Sequence, residues 1–179
     1  MTTSWKNFLF ASLDSKGFVA VDKPPLSLWV QALSAKVFGY SQLSILAPQA
    51  VAGTLSVLVL YLGVRSAWGR TAGLVAATCL ALTPINVLVN HSNNTDSVLV
   101  LVMVIAASLT IHAIGKGRLR WFVVASAVAG TAMTAKMLAA VPVMPGVLVA
   151  YIWCAPRSWK VRVGHGLVGA LVMAVAALW

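Results

Sequence analysis

Residues 44–64 read SILAPQAVAGTLSVLVLYLGV, an unbroken stretch with no Asp, Glu, Lys or Arg. A helix of about 20 mostly apolar residues matches the hydrocarbon thickness of a bilayer. Further apolar stretches follow at 71–89, 97–114, 121–135, 138–153 and 164–179. The expectation is therefore an all-α, polytopic transmembrane helix bundle of about six spans. The fourth is short, and Lys136, Pro142 and Pro145 interrupt the region around the fifth.

Composition agrees. The chain is 60% hydrophobic and 9% charged, with a mean hydropathy of +0.92. Soluble domains are about 45–50% apolar and about 25% charged. The net charge of +10 comes from 13 Lys+Arg against 3 carboxylates. In a water-soluble protein that excess would point to nucleic acid. Here the cations fall in the gaps between apolar stretches, so they read as orientation signals with an anionic lipid as partner, and no nucleic acid. Cys79 and Cys154 lie inside apolar stretches with no Cys/His cluster, which predicts buried, unpaired thiols. Residues 1–14 have no continuous apolar core of a signal peptide.

Three gaps hold Arg65 and Arg70, then Lys116, Arg118 and Arg120, then Arg157, Lys160 and Arg162. They alternate with the remaining gaps and so share one side, the cytoplasmic one by the positive-inside rule. Asp14, Asp22 and Asp96 all fall on the other side, together with Lys23 and Lys136. Residues 1–43 then form an extracytoplasmic loop and 44–179 the transmembrane region of a plasma-membrane protein with an extracytoplasmic active face.

Within that loop, VDKPPLSLW at 21–29 opens a short helix. Pro24 and Pro25 suit a helix start, where a missing N–H is harmless. Leu26, Trp29, Val30, Leu33 and Val37 recur at helical spacing, Ser27, Gln31, Ser34 and Lys36 fill other positions, and Gly39 ends the run. Some 14 residues are too few to span, so this is an amphipathic helix at the outer interface.

Three places carry candidate chemistry. Asp22-Lys23 forms either a solvated loop ion pair or a clamp for a lipid phosphate, with Asp22 orienting Lys23, holding a metal ion or meeting a sugar hydroxyl. NHSNNTD at 90–96 is polar throughout. Asp96 and Thr95 could cap the next helix; alternatively Asp96 is a catalytic residue, as a base or as the holder of Lys23, while the cluster, Asn93 and Asn94 included, suits a sugar. Lys136 is either a snorkelling helix-end lysine or a second cation for an anionic headgroup. No P-loop, GxSxG or HExxH motif occurs. A transporter or flippase for an anionic lipid-linked substrate, and a non-catalytic scaffold, stay open as alternatives. A transporter would carry polar groups near the midplane of several spans, which are nearly bare here.

GFVAVDKPPLSLWVQALSAKVFG at 17–39 resembles the first extracytoplasmic loop of bacterial glycosyltransferase family 39, relatives of the protein O-mannosyltransferases and of the aminoarabinose transferase of lipid A. The resemblance continues through LAPQAVAGTLSVLVLYLGVR, GLVAATCLALTPINVLVNHSNNTDSVLVLVMVIAA and AMTAKMLAAVPVMPGVLVAY, in order along nearly the whole chain. It implies a GT-C fold and transfer of a sugar from a polyprenyl-phosphate donor to a lipid or protein acceptor on the outer face. It assigns Lys23 to the lipid phosphate, with Pro24 beside it. Asp22 becomes its neighbour and, with a divalent metal ion as cofactor, a ligand. Asp96 becomes the second-loop carboxylate near the lysine, and Lys136 a lysine found before the later spans. Family members carry a transmembrane helix and a catalytic acid ahead of this loop, and further spans after it. Asp14 is not at the matching place, so a fragment or truncated product is expected.

Overall fold

A computed structural model describes residues 5–9 and 24–178. Asp14, Asp22 and Lys23 lie outside the described residues. The described chain is helical: α1 (Trp5–Leu9), α2 (Pro25–Phe38), α3 (Gln42–Leu82), α4 (Pro84–Asn90), α5 (Asp96–Lys116), α6 (Leu119–Thr131), a 3-10 turn (Ala132–Thr134), α7 (Met137–Ala140), α8 (Val143–Cys154) and α9 (Trp159–Ala177). The protein is an all-α membrane helix bundle. Gln42–Leu82, Asp96–Lys116, Met137–Cys154 and Trp159–Ala177 are each long and apolar enough to cross a bilayer, and Leu119–Thr134 is a shorter apolar helix.

The expected spans at 44–64 and 71–89 are one helix by hydrogen bonding but two limbs in space. Gly69 takes φ 86 and ψ 176 and reverses the chain within α3. Only glycine adopts that region cheaply, because a Cβ would collide with the backbone. The limbs then lie side by side. A Cβ on Gly73 would sit 2.9 Å from the Tyr61 carbonyl oxygen. Thr54, Leu58, Tyr61, Leu74, Ala77 and Ala81 border one apolar groove. The returning limb bends at Thr83, which is extended (φ −66, ψ 114) as the residue before a proline prefers. Thr83 Oγ1 donates to the Cys79 carbonyl (2.6 Å) and Asn86 Nδ2 to the Leu80 carbonyl (3.1 Å) across the bend. Counting both limbs of α3 and the shorter Leu119–Thr134 helix, the described residues hold six apolar helical segments, at the places of the six apolar stretches.

The first limb starts with reciprocal caps. Ser41 Oγ accepts from the Ser44 N–H and Ser44 Oγ from the Ser41 N–H, each at 3.1 Å. Ser108 Oγ on α5 reaches the Val59 carbonyl at 3.3 Å, in the space left open by Gly63. Small residues likewise set α6 against α9. A Cβ on Gly130 would strike the Met173 carbonyl, and one on Gly169 would strike the Phe122 ring and Ser126. In lipid, where apolar side chains gain little by meeting one another, such close backbone approach is what holds helices together. The core lies among α5, α6, α8 and α9, centred on Phe122 and Tyr151, whose rings stack with centroids 3.9 Å apart.

Two expectations are corrected. Cys79 and Cys154 are free but exposed on outward helix faces, not buried. An apolar span has a lipid-facing side, and a thiol there needs no partner. Pro145 does not break a helix: α8 begins at Val143 with Pro142 as its N-cap, so Pro145 falls in the first turn. An N–H there has no intrahelical acceptor to lose.

The basic gaps gather at one end. Ser66 and Ala67 share a cavity with His112 and Lys116, and Arg157 Nε donates to the Gly117 carbonyl at 2.9 Å. Trp68, Trp153 and Trp159 are all exposed there, as an interfacial belt requires. The polar segments gather at the opposite end.

Candidate functional site

The break after α6 creates the site. The 3-10 turn closes at Ala135, Lys136 adopts an extended conformation (φ −161, ψ 92), and α7 starts only at Met137. This frees the lysine side chain from any helical face. It reaches across to the first residue of α5, where Lys136 Nζ lies 2.5 Å from Asp96 Oδ1. Among the described residues this is the one salt bridge. Asp96 is 27% exposed and Lys136 45%, so the pair is neither sealed nor freely solvated. Asp96 also stands in the first turn of α5, where the N–H dipoles favour a negative charge. Thr95 is the N-cap by position but makes no side-chain cap.

The start of α2 closes on the same corner. Ser27, fully buried, donates from Oγ to the Thr95 carbonyl at 3.1 Å. Gln31 Nε2 donates to Asn93 Oδ1 at 2.9 Å. Leu26 joins Leu99, Ala132, Ala135 and Ala140 in an apolar cluster below the pair. Pro24 and Pro25 are buried, so the Pro-Pro step anchors the chain against the bundle. The helix occupies Pro25–Phe38 and ends at Gly39 with φ 81, as its sequence indicates. Its buried and exposed residues divide unevenly. Pro25 and Ser27 are buried, while Leu33, Val37 and Phe38 are exposed. The apolar stripe thus packs on the bundle at Leu26 and faces away from the protein at its C-terminal part. The Thr95 carbonyl meets the buried hydroxyl that a polar face would otherwise have turned to water.

Of the other candidate residues, Asn93 is exposed and held by Gln31, and Asn94 is half-buried with its N–H on the Ser92 carbonyl. The expected clamp of Asp22 and Lys23, including metal ligation by Asp22, lies outside the described residues. Among the described residues no three His, Cys, Asp or Glu side chains gather into a metal site.

Behind the 90–96 cluster, to which Asn90 belongs, sequence reasoning missed the buried polar groups of Gln49 and Ser97. Both amide atoms of Gln49, Oδ1 of Asn90 and Oγ of Ser97 are buried without hydrogen-bond partners among the described residues. The Asn90 side chain fills the space over Gly53, one helical turn along from Gln49, at the polar end of the bundle. Unmet buried polar groups are rare and mark places where something else can bind. A glutamine inside the 44–64 stretch was the signal available.

A family model described as dolichyl-phosphate-mannose-protein mannosyltransferase matches residues 22–179. The chain belongs to this family. Within this mannosyltransferase family it is similar to two proteins of Bacillus subtilis (strain 168). It is 39% identical over 173 residues to "Putative mannosyltransferase YycA", covering 97% of this chain and 25% of that protein. It is 40% identical over 181 residues to "Putative mannosyltransferase YkcB", covering 100% of this chain and 25% of that protein. The chain thus spans about a quarter of the length of these relatives. No solved structure matches it.

Proposed function

We propose that the chain forms the donor-phosphate part of a membrane glycosyltransferase, one that moves a mannose-like sugar from a polyprenyl phosphate to an acceptor on the extracytoplasmic face. The observation that carries this is the Lys136–Asp96 pair beside the buried start of α2. It is a cation at the end of the bundle away from the basic gaps, half-exposed and held in place by a carboxylate.

The chemistry follows. The bond from the sugar's anomeric carbon to the phosphate oxygen breaks, and an acceptor oxygen bonds to that carbon. The lipid phosphate leaves with the negative charge, and the acceptor's proton passes to a carboxylate base, for which Asp96 is this chain's candidate. An ammonium fixed beside the departing oxygen stabilises the charge as it develops. Lys136 has three N–H donors, and Asp96 occupies one of them, leaving others for phosphate. Lys23 directly precedes the buried Pro24 in the chain and supplies a second cation in this reading. Asp96 acts mainly as a positioning residue for Lys136, and Asp22 orients Lys23. Asn93 and Asn94 meet sugar hydroxyls. Polyprenyl dependence also fits the exposed Leu33, Val37 and Phe38 of α2, which offer a greasy surface next to the site.

Membranes containing the protein, supplied with a radiolabelled polyprenyl-phosphate mannose, test this. Lys136→Ala and Lys23→Ala should each lower transfer on the order of a hundredfold with expression intact, as loss of a charge-stabilising donor does. Undiminished transfer by both variants would overturn the assignment.

A further inference from the structure

The end opposite the candidate site holds a cationic pocket that sugar transfer does not use. A cavity of about 530 Å³ opens between the α5–α6 and α8–α9 connections and is lined by Arg118, Arg120, Arg157 and His165. Positive-inside topology accounts for arginines in both loops. It does not account for their convergence on one cavity.

The roles of the arginines separate cleanly. Arg162 is structural: it donates to the Ile152, Trp153 and Arg157 carbonyls and caps the end of α8. Arg157 commits only Nε, to the Gly117 carbonyl, which ties the two loops together and fixes the pocket's width. Arg120 lies 5.5 Å from the centre of the Trp121 ring, and Arg118 is the N-cap position of α6 without a side-chain cap bond. Among the described residues the paired carboxylate is Asp96, at the far end, so no described acid neutralises this pocket. The first turns of α6 and α9, at its rim, contain no acid either.

We infer that this pocket binds the phosphate headgroup of an anionic phospholipid of the inner leaflet. Guanidinium groups suit phosphate oxygens in a way that one ammonium does not. Basic pockets between transmembrane helices on the cytoplasmic side are typical seats for such headgroups. The position favours a lipid over free phosphate. The pocket lies at the apolar boundary, with exposed Trp159 beside it and Val161 in its wall. The inference does not depend on the transfer chemistry and stands or falls separately.

The test uses the full 179-residue chain in nanodiscs of phosphatidylcholine with or without phosphatidylglycerol. Thermal melting and lipid retention in native mass spectrometry are the readouts. Phosphatidylglycerol should raise the melting temperature. R118Q/R120Q should retain that lipid about tenfold less, each arginine near a charged surface contributing appreciably. R65Q/R70Q removes the same charge elsewhere on the same end and should retain it fully. Equal losses in the two double variants, or no effect of phosphatidylglycerol, would overturn the site. Millimolar inorganic phosphate reproducing the stabilisation in pure phosphatidylcholine would overturn the lipid as its source.

Discussion

Lys136 Nζ and Asp96 Oδ1 are 2.5 Å apart, although forty residues separate them. The contact joins the first turn of α5 to the break between α6 and α7. It also puts a cation and a carboxylate at the end of the bundle away from the eight basic residues of the 65–70, 116–120 and 157–162 gaps. An ion pair this exposed adds little to stability, typically below about 1 kcal/mol. Binding of a lipid headgroup, as proposed above, gives the pair a role that stability does not.

A charge swap separates the two explanations. D96K/K136D preserves an ion pair but exchanges the positions of its charges. A structural pair would recover melting temperature and transfer together, relative to the single variants. A phosphate site would recover melting temperature alone, with transfer still lowered on the order of a hundredfold. The two readouts are melting in detergent and radiolabel transfer in membranes.

The glycines give a stability prediction with a built-in control. Gly69→Ala forces a side chain into φ 86 and should cost about 1–3 kcal/mol. Gly130→Ala meets the Met173 backbone and should cost about 1–3 kcal/mol by overpacking. Gly115→Ala lies in helical α5 with nothing within 4 Å, and should be neutral or stabilising by about 0.5–1 kcal/mol. Denaturation of the three variants side by side checks the ranking.

Ser27 ties α2 to the site. Ser27→Ala removes the bond to the Thr95 carbonyl and should cost about 1 kcal/mol. The consequence should be local: faster hydrogen exchange across residues 25–31, with α8 and α9 unchanged. Unaltered exchange in α2 would mean that this bond does not anchor it.

Much of this architecture was legible in the sequence, for identifiable reasons. The apolar helices and the gathering of the basic gaps at one end follow from uncharged stretches and clustered cations, because lipid admits few alternatives. The bounds of α2 follow from Pro-Pro and Gly39. What stayed hidden depended on distance in three dimensions. Nothing local says whether Asp96 takes Lys136 or Lys23 as partner. Nothing in LDSKGFVAVDK, residues 13–23, tells which side of α2 meets the bundle. The burial of Ser27 is not legible locally because its acceptor, the Thr95 carbonyl, is 68 positions away. Cys79 and Cys154 are exposed against expectation because apolar surroundings in sequence do not distinguish core from lipid.

The most direct test of the central claim is where a donor phosphate touches the protein. A polyprenyl phosphate with a photoreactive diazirine next to its phosphate, crosslinked in membranes and mapped by mass spectrometry, should mark peptides spanning residues 24–31, 93–97 and 132–138. Labelling confined to residues 65–70, 116–120 and 157–162 would put the donor at the opposite end and contradict the account.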